Sequence, residues 1–503
     1  MNRAALVKTN RQLHFAPIFL AICGWIAMAT SGCMVGPDYH PPHPVAPSGW
    51  AGVPEAPAKH PSVPTAQPAE LTQWWKQFDD PVLTQLVEDA LKTNLDLQLA
   101  VAVLRQSRAA RGIVVAALWP SLSAAAQYQR ETTLLSQAQA GQAQNLYQAG
   151  FDAAWEIDLF GGQRRNVESA DANVQASTEG VSLAQVSLAA EVALNYVQLR
   201  GYQQQIVVAQ KNLKSMQNSA LITRQKAKAG FNCALDIANA DANVATTEAQ
   251  IPVFETSAKQ SIYALSVLLA RPPADLLEQL TPKDNIPGVP PQIPAGLPSD
   301  LLRRRPDIRQ AEAQLHAATA QIGVATADLF PKFSLTGTVS WQSNLLNAWW
   351  AAASRAYSFG PSATWAIFQG GAILSNIRVQ EALTDQAFIT YRKTVLGAFQ
   401  DVENALIAFT KEQEHYKSLK DSVAANTIAV DLSLKLYKEG LLEFLNVLVA
   451  QRSLFAAENA LVQSNCSITT DLIALYKALG GGWETIAANE QPAASATAPV
   501  AAK

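Results

Sequence analysis

"AALWPSLSAAAQYQ" (116–129) and "ADLFPKFSLTGTVS" (327–340) set Leu118 against Leu329, Pro120 against Pro331 and Ser123 against Ser334, about 210 residues apart. The correspondence runs on through "AAWEIDLFGG" (153–162) and "ATWAIFQGG" (363–371), which align Trp155 with Trp365. It continues in "KAGFNCALDIANA" (228–240) and "KEGLLEFLNVLVA" (438–450), which align Gly230 with Gly440 and Leu235 with Leu445. One structural unit is therefore used twice, over residues 71–271 and 300–482. Each copy holds two segments of strict alternation. Leu122, Ala124, Ala126 and Tyr128 alternate with Ser121, Ser123, Gln127 and Gln129, and over 151–159 Phe151, Ala153, Trp155, Ile157 and Leu159 alternate with Asp152, Glu156 and Asp158. In the second copy Phe333, Leu335, Val339 and Trp341 oppose Ser334, Thr336, Thr338 and Ser340, and Phe359, Ala363, Trp365 and Ile367 oppose Ser358, Ser362 and Thr364. Period-two patterning predicts strands with one apolar and one polar face.

Alternation alone also fits a soluble sandwich, so length and setting decide. Segments of about 10 residues with aromatics at their ends and a polar opposite face suit a transmembrane β-barrel with a wet interior. The smallest such barrels have about eight strands, and an open strand edge is not tolerated in lipid. A chain with four strands must then oligomerise. A dimer would reach the minimum, and a trimer, with half as many strands again, suits a polar interior better.

The remainder reads as helix. Residues 166–228 hold no proline, and Leu199, Tyr202, Ile206, Ala209, Leu213, Met216 and Ala220 follow the 3-4 spacing of a coiled-coil seam. The second copy gives Phe409, Glu412, Tyr416, Leu419, Val423, Asn426 and Val430 in the same register. Beyond Gly230 and Gly440 the apolar spacing resumes, so each copy contains a helical hairpin of roughly 90 Å with a glycine at its tip. Pro252 falls inside the first return helix, where a kink is expected.

Two proline-rich stretches, residues 36–68 and 272–299, read as connectors without regular structure. At the start, Arg3, Lys8 and Arg11 precede an apolar run over 15–29 that falls short of the ~20 residues of a spanning helix, the layout of an export signal over 1–32. The four cysteines (23, 33, 233 and 466) and six histidines have no metal-ligand spacing. Cys233 and Cys466 differ in height along the hairpins by roughly 35 Å and are expected to be free. The net charge of -3 gives no basic footprint for nucleic acid. There is no G-x-S-x-G, H-E-x-x-H, phosphate loop or dinucleotide fingerprint, so no catalytic, cofactor or metal site is assigned and an enzyme is not expected. Arg303 to Arg305, followed by Pro306 and Asp307, read as the structural start of a helix in preference to a phosphate site.

The chain resembles the TolC-like outer-membrane efflux channels, specifically the NodT-type lipoproteins that serve resistance-nodulation-division pumps. The resemblance rests on "CMVGPDYHPP" from Cys33, "WWKQFDDPVLTQLVEDALKTNLDLQLA" from Trp74 and "LLRRRPDIRQAEAQLHAATAQIGVATADLFPKFSLTG" from Leu301, and it spans about residues 33–483. It implies a mainly α fold with a small β part: a homotrimer with a twelve-stranded barrel and a twelve-helix periplasmic tunnel. It also implies a passive exit duct for small toxic compounds, docked to a periplasmic adaptor protein and an inner-membrane pump that supplies the energy. By the same resemblance Cys33 is lipidated and holds a tether over 33–70 to outer-membrane lipid. Ala27-Met28-Ala29 leaves an ordinary signal-peptidase site as the alternative. The hairpin tips Lys228, Gly230, Phe231, Lys438, Gly440 and Leu441 would meet the adaptor. Leu235, Asp236, Leu445, Asn446, Val449 and Arg452 would form the periplasmic constriction, with Val449 standing where relatives often have aspartate. A channel for protein secretion and a structural coiled-coil lipoprotein are the alternative readings. The alanine-rich tail, 483–503, is expected to be disordered.

Overall fold

A computed structural model of the chain describes residues 34–51, 62–65, 71–132, 143–294 and 296–484. The export signal, Cys33 and nearly all of the tail lie outside the described residues. The chain divides into two compact units that cut across the sequence halves: Arg105–Gln175 and Glu312–Ile389 with the segment up to Pro42, and His43–Leu104, Ala176–Ala311 and Thr390–Lys503.

The first unit is built on an antiparallel sheet of four strands, β2 (Ser121–Thr132), β3 (Ala143–Ile157), β5 (Lys332–Ser343) and β6 (Arg355–Thr364), in the order β2-β3-β5-β6. Proline sets one limit of the ladder. Helix α2 (Leu95–Ala116) ends before Pro120 and helix α6 (Pro306–Ala327) before Pro331, and the strands start just beyond. Because a proline has no N–H to pair, each ladder begins just beyond it: the β2–β3 pairing starts with Ser121 facing Ala154, and the β5–β6 pairing with Lys332 facing Thr364, while β3 runs on to Ile157 against Phe333. The loose ends are closed in the same manner in both halves. Trp155 Nε1 donates to the Leu118 carbonyl at 2.9 Å, and Trp365 Nε1 donates to the Leu329 carbonyl at 3.0 Å. Trp365 and Ile367, read from their alternation as strand, therefore lie past β6, and Leu159 lies past β3. At its other end β3 starts at Ala143, well before the expected 151, because 143–150 pairs with 125–132. Asn145 and Leu146 interrupt the alternation there, which hid this half of the strand.

The segment Met34–Pro42 is strapped to the same unit. Val35 N donates to the Phe160 carbonyl (3.1 Å), and the buried Arg165 reaches Asp38 Oδ1 (2.6 Å), Glu168 Oε2 (2.8 Å) and the Val35 carbonyl (3.2 Å). Tyr39 stacks on His316 with centroids 4.2 Å apart, and His316 Nε2 lies 2.9 Å from Glu168 Oε1. Gly36, at φ +86°, lies so close to Gly323 that no side chain fits between them.

The second unit is helical. Its framework is α4 (Ala234–Leu268), α8 (Phe444–Ala478) and the parts of α3 (Gly162–Lys228) and α7 (Ala372–Glu439) that follow Gln175 and Ile389, two long-helix hairpins whose first members are each roughly 100 Å long. Leu199, Ile206, Ala209, Met216 and Ala220 of the expected seam are buried. In α7 only Phe409 and Val430 of the corresponding set are. α4 runs helically through Pro252. One 18-residue window of α3 reaches the hydropathy of a membrane span, but half of it is buried inside the chain and the helix is some three times too long for a bilayer. We read it as a core helix.

Against these helices pack Trp74, Trp75, Phe78 and α1 (Pro81–Thr93); Trp74 stacks on Tyr476 at 5.2 Å. The described parts of the proline-rich connectors hold regular structure that their composition does not imply. β1 (Val63–Thr65) pairs in parallel with β4 (Gln292–Pro294), and Leu276, Leu280 and Ile293 are fully buried. Strands of three residues need few N–H donors, so each accommodates a proline, Pro64 in β1 and Pro294 in β4. Arg305, between α5 (Pro298–Arg304) and α6, bonds Asp307 (2.6 Å), Asp401 (3.1 Å) and the Ala478 carbonyl (3.1 Å), as expected of a structural arginine.

Candidate functional site: an open sheet and two hairpin tips

The register sorts the sheet into two faces. Ser123, Asp152, Thr338 and Ser358 form one row, and Ser334 Oγ meets Ser362 Oγ at 2.8 Å on the same face. The opposite face carries the rows Leu122, Ala153, Gly337, Phe359 and Ala124, Phe151, Val339, Tyr357. Among the described residues this apolar face is left largely open: Leu122 is 72% exposed and Phe359 81%. Aromatic side chains mark both strand ends, with Trp155 and Trp365 at the helical end and the Tyr128–Tyr147 and Trp341–Trp350–Trp349 contacts at the loop end. An apolar band between aromatic girdles, backed by a polar face, is the pattern of a membrane-spanning barrel wall. Among the described residues the edge strands β2 and β6 each have one neighbour, so the wall is open.

Both hairpin tips in the second unit are closed by the same device. Gly230 (φ +81°) and Gly440 (φ +83°) follow α3 and α7, and Phe231 N donates to the Lys226 carbonyl as Leu441 N does to that of Leu436, both at 2.9 Å. These are Schellman turns, and the left-handed residue makes glycine the natural occupant. Lys228, Phe231, Lys438 and Leu441 are exposed around them. Tyr437 ties the two tips together: its hydroxyl donates to Thr223 Oγ1 (3.1 Å) and accepts from Asn232 Nδ2 (2.5 Å), and its ring packs against Phe444. Lys226 lies over that ring, 4.5 Å from the centroid.

Of the expected constriction residues, Leu235, Leu445 and Val449 are all more than half exposed, and Asn446 is exposed too. The buried neighbours are Val447 and Leu448, so Leu445 is not a core residue of its own chain. Asp236 stays local, accepting from Cys233 Sγ at 3.6 Å in the first turn of α4. Arg452 Nε donates to Asn243 Oδ1 (3.0 Å), which ties α8 to α4. The Tyr437 network escaped the sequence reading, because a tyrosine one turn before a helix end has no distinguishing pattern. Cys233 and Cys466 are free, and burial pushes the Cys466 thiol up to about 11.

The sheet and the long hairpins define an outer-membrane efflux channel. The chain belongs to the outer membrane efflux protein family, which matches it over residues 86–271 and 297–481. It is 34% identical over 473 residues to the toluene efflux pump outer membrane protein TtgC of Pseudomonas putida, covering 92% of this chain and 96% of that one. It is 30% identical over 471 residues to nodulation protein T of Rhizobium leguminosarum bv. trifolii, covering 92% and 97%. The solved outer-membrane channel OprN superposes with a TM-score of 0.84 at 37% identity, over 90% of this chain and all of that one. The protein is an outer-membrane component of an efflux system, with its helical part in the periplasm. These relatives lend no support to a secretion channel or a purely structural lipoprotein.

Proposed function

We propose that three copies of this chain close one barrel and one helical tunnel, forming a passive exit duct for small toxic compounds. The open sheet carries this reading: β2 and β6 each lack a second neighbour, and unpaired backbone N–H and C=O groups cost several kcal/mol apiece in lipid. Pairing β6 of one copy with β2 of the next removes both edges and puts the row of Ser123, Asp152 and Thr338 toward a wet lumen. The matching indole bonds of Trp155 and Trp365 and the paired glycine tips support a single unit used twice, over 71–271 and 300–482, joined by 272–299. Cys33, lipidated, would anchor the strap in the same membrane.

The chain performs no chemistry in this scheme. Its tips, with Phe231 80% and Leu441 71% exposed, offer apolar contacts to a periplasmic adaptor, which connects them to an inner-membrane pump. Leu235, Leu445 and Val449, each more than half exposed, would narrow the tunnel from neighbouring copies, with Asp236, Asn446 and Arg452 close by. Because Val449 supplies no charge, this ring closes by apolar packing. The toluene pump relative points to small organic molecules as cargo. Purified protein should form heat-labile trimers that conduct ions in planar bilayers; a monomer without conductance would overturn the proposal.

A further inference from the structure

The strand region has an uneven charge pattern. From Ser121 to Phe151, and from Phe333 to Ile377, the only charged residues are Arg130, Glu131 and Arg355. Arg130 shares the parity of Leu122 and Tyr128, and Arg355 that of Tyr357 and Phe359, so both belong to the apolar face. Both are exposed, and neither has an ion-pair partner among the described residues. Both also stand at the loop end: Arg355 is the register partner of Trp341, which packs on Trp350, and Arg130 lies two residues beyond Tyr128, which packs on Tyr147.

Depth gives these positions a meaning. From the Phe333–Ala363 row to the Trp341–Arg355 row is about eight residues, or roughly 26 Å along the strand. With the usual tilt this is about 20 Å of depth, close to the full height of a barrel's apolar band. An arginine facing outward at that level stands near the upper edge of the apolar band, and its long side chain reaches the lipid headgroups beside a girdle of tryptophan and tyrosine. Two arginines and no opposing carboxylate on this face demand an anion. A guanidinium binds phosphate oxygens through two parallel hydrogen bonds.

We propose that Arg130 and Arg355 form a binding site for the phosphate groups of the glycolipid in the outer leaflet. The site rests on the barrel proposed above, in which β6 of one copy adjoins β2 of the next and brings Arg355 to the same seam as Arg130 of the partner subunit. Bound lipid would then bridge the subunit seam and brace the closed barrel.

The test uses full-length trimer extracted in mild detergent, titrated with purified bis-phosphorylated lipid A and read by native mass spectrometry. The wild type should retain the lipid, and Arg130→Gln/Arg355→Gln should bind it at least tenfold more weakly, while Arg355→Lys keeps part of the affinity. Dephosphorylated lipid A should bind the wild type at least tenfold more weakly, an arm that needs no variant and so survives a misfolding mutant. Phosphatidylglycerol matching lipid A would make the site one for any anionic lipid and overturn the glycolipid assignment. Equal retention by the double variant, or of the dephosphorylated lipid, would overturn the site altogether. Conductance in phosphatidylcholine bilayers separates the two levels: a conducting trimer indifferent to lipid A refutes only this site, whereas absent trimer and conductance refute the channel.

Discussion

Replacing Arg165 with alanine should free the strap that leads toward the membrane. Its side chain is 3% exposed and holds Asp38, Glu168 and the Val35 carbonyl at once, so no other residue can take over its bonds. Breaking a buried ion pair by removing one partner costs about 3–5 kcal/mol, most of it from the charge left behind. Here the abandoned carboxylates keep access to water, Asp38 most of all, which argues for the lower figure of about 3 kcal/mol. The Val35 amide, bonded to the Phe160 carbonyl, reports the opening of the strap. Its hydrogen exchange should accelerate roughly a hundredfold in Arg165→Ala, since each 1.36 kcal/mol is a factor of ten. Asp38→Asn should change it only a few-fold, because that carboxylate is already 78% exposed and the pair with Glu168 survives. Unchanged exchange at Val35 in Arg165→Ala would show that the strap is held by Tyr39, His316 and the Gly36–Gly323 contact, and would refute the reasoning.

Other expectations concern the helical unit. Ala270 sits at φ +55° after α4, where Gly480 (φ +72°) follows α8. Ala270→Gly should raise thermal stability by up to about 1 kcal/mol. Gly480→Ala should lower it by about 1–2 kcal/mol, because its new methyl group would also lie 3.1 Å from Arg305 Cγ. Burial, and then the charge of Glu412, push the Asp471 carboxyl up to about 6 from 3.8. The folded state thus binds this proton more tightly than the unfolded chain, and the stability it gives is full below about pH 4 and lost as pH rises through 6. The melting temperature measured between pH 4.5 and 7 should fall, and Asp471→Asn should remove part of that slope.

The strands were legible because Pro120 and Pro331 mark their starts and side chains alternate without a break beyond them. β3 was only half legible, since its first part is fixed by pairing with β2 across a connection that leaves no pattern of its own. The hairpin tips could be read because a left-handed C-terminal residue favours glycine, and Gly230 and Gly440 stand alone at the ends of long periodic helices. From sequence the strap reads only as a tether. Arg165 lies more than a hundred residues from Asp38, and no local spacing records such a contact. The connectors were misjudged for a related reason: Ile293 is fully buried although prolines surround it, because its partner strand comes from the other proline-rich stretch.

The central claim is that an open sheet of four strands closes only among three chains. The mass of the detergent-solubilised particle, measured by native mass spectrometry with bound detergent removed, tests it most directly. The account predicts three times the mass of the processed single chain, lost on heating. A particle of one or two chains that still conducts ions would contradict it.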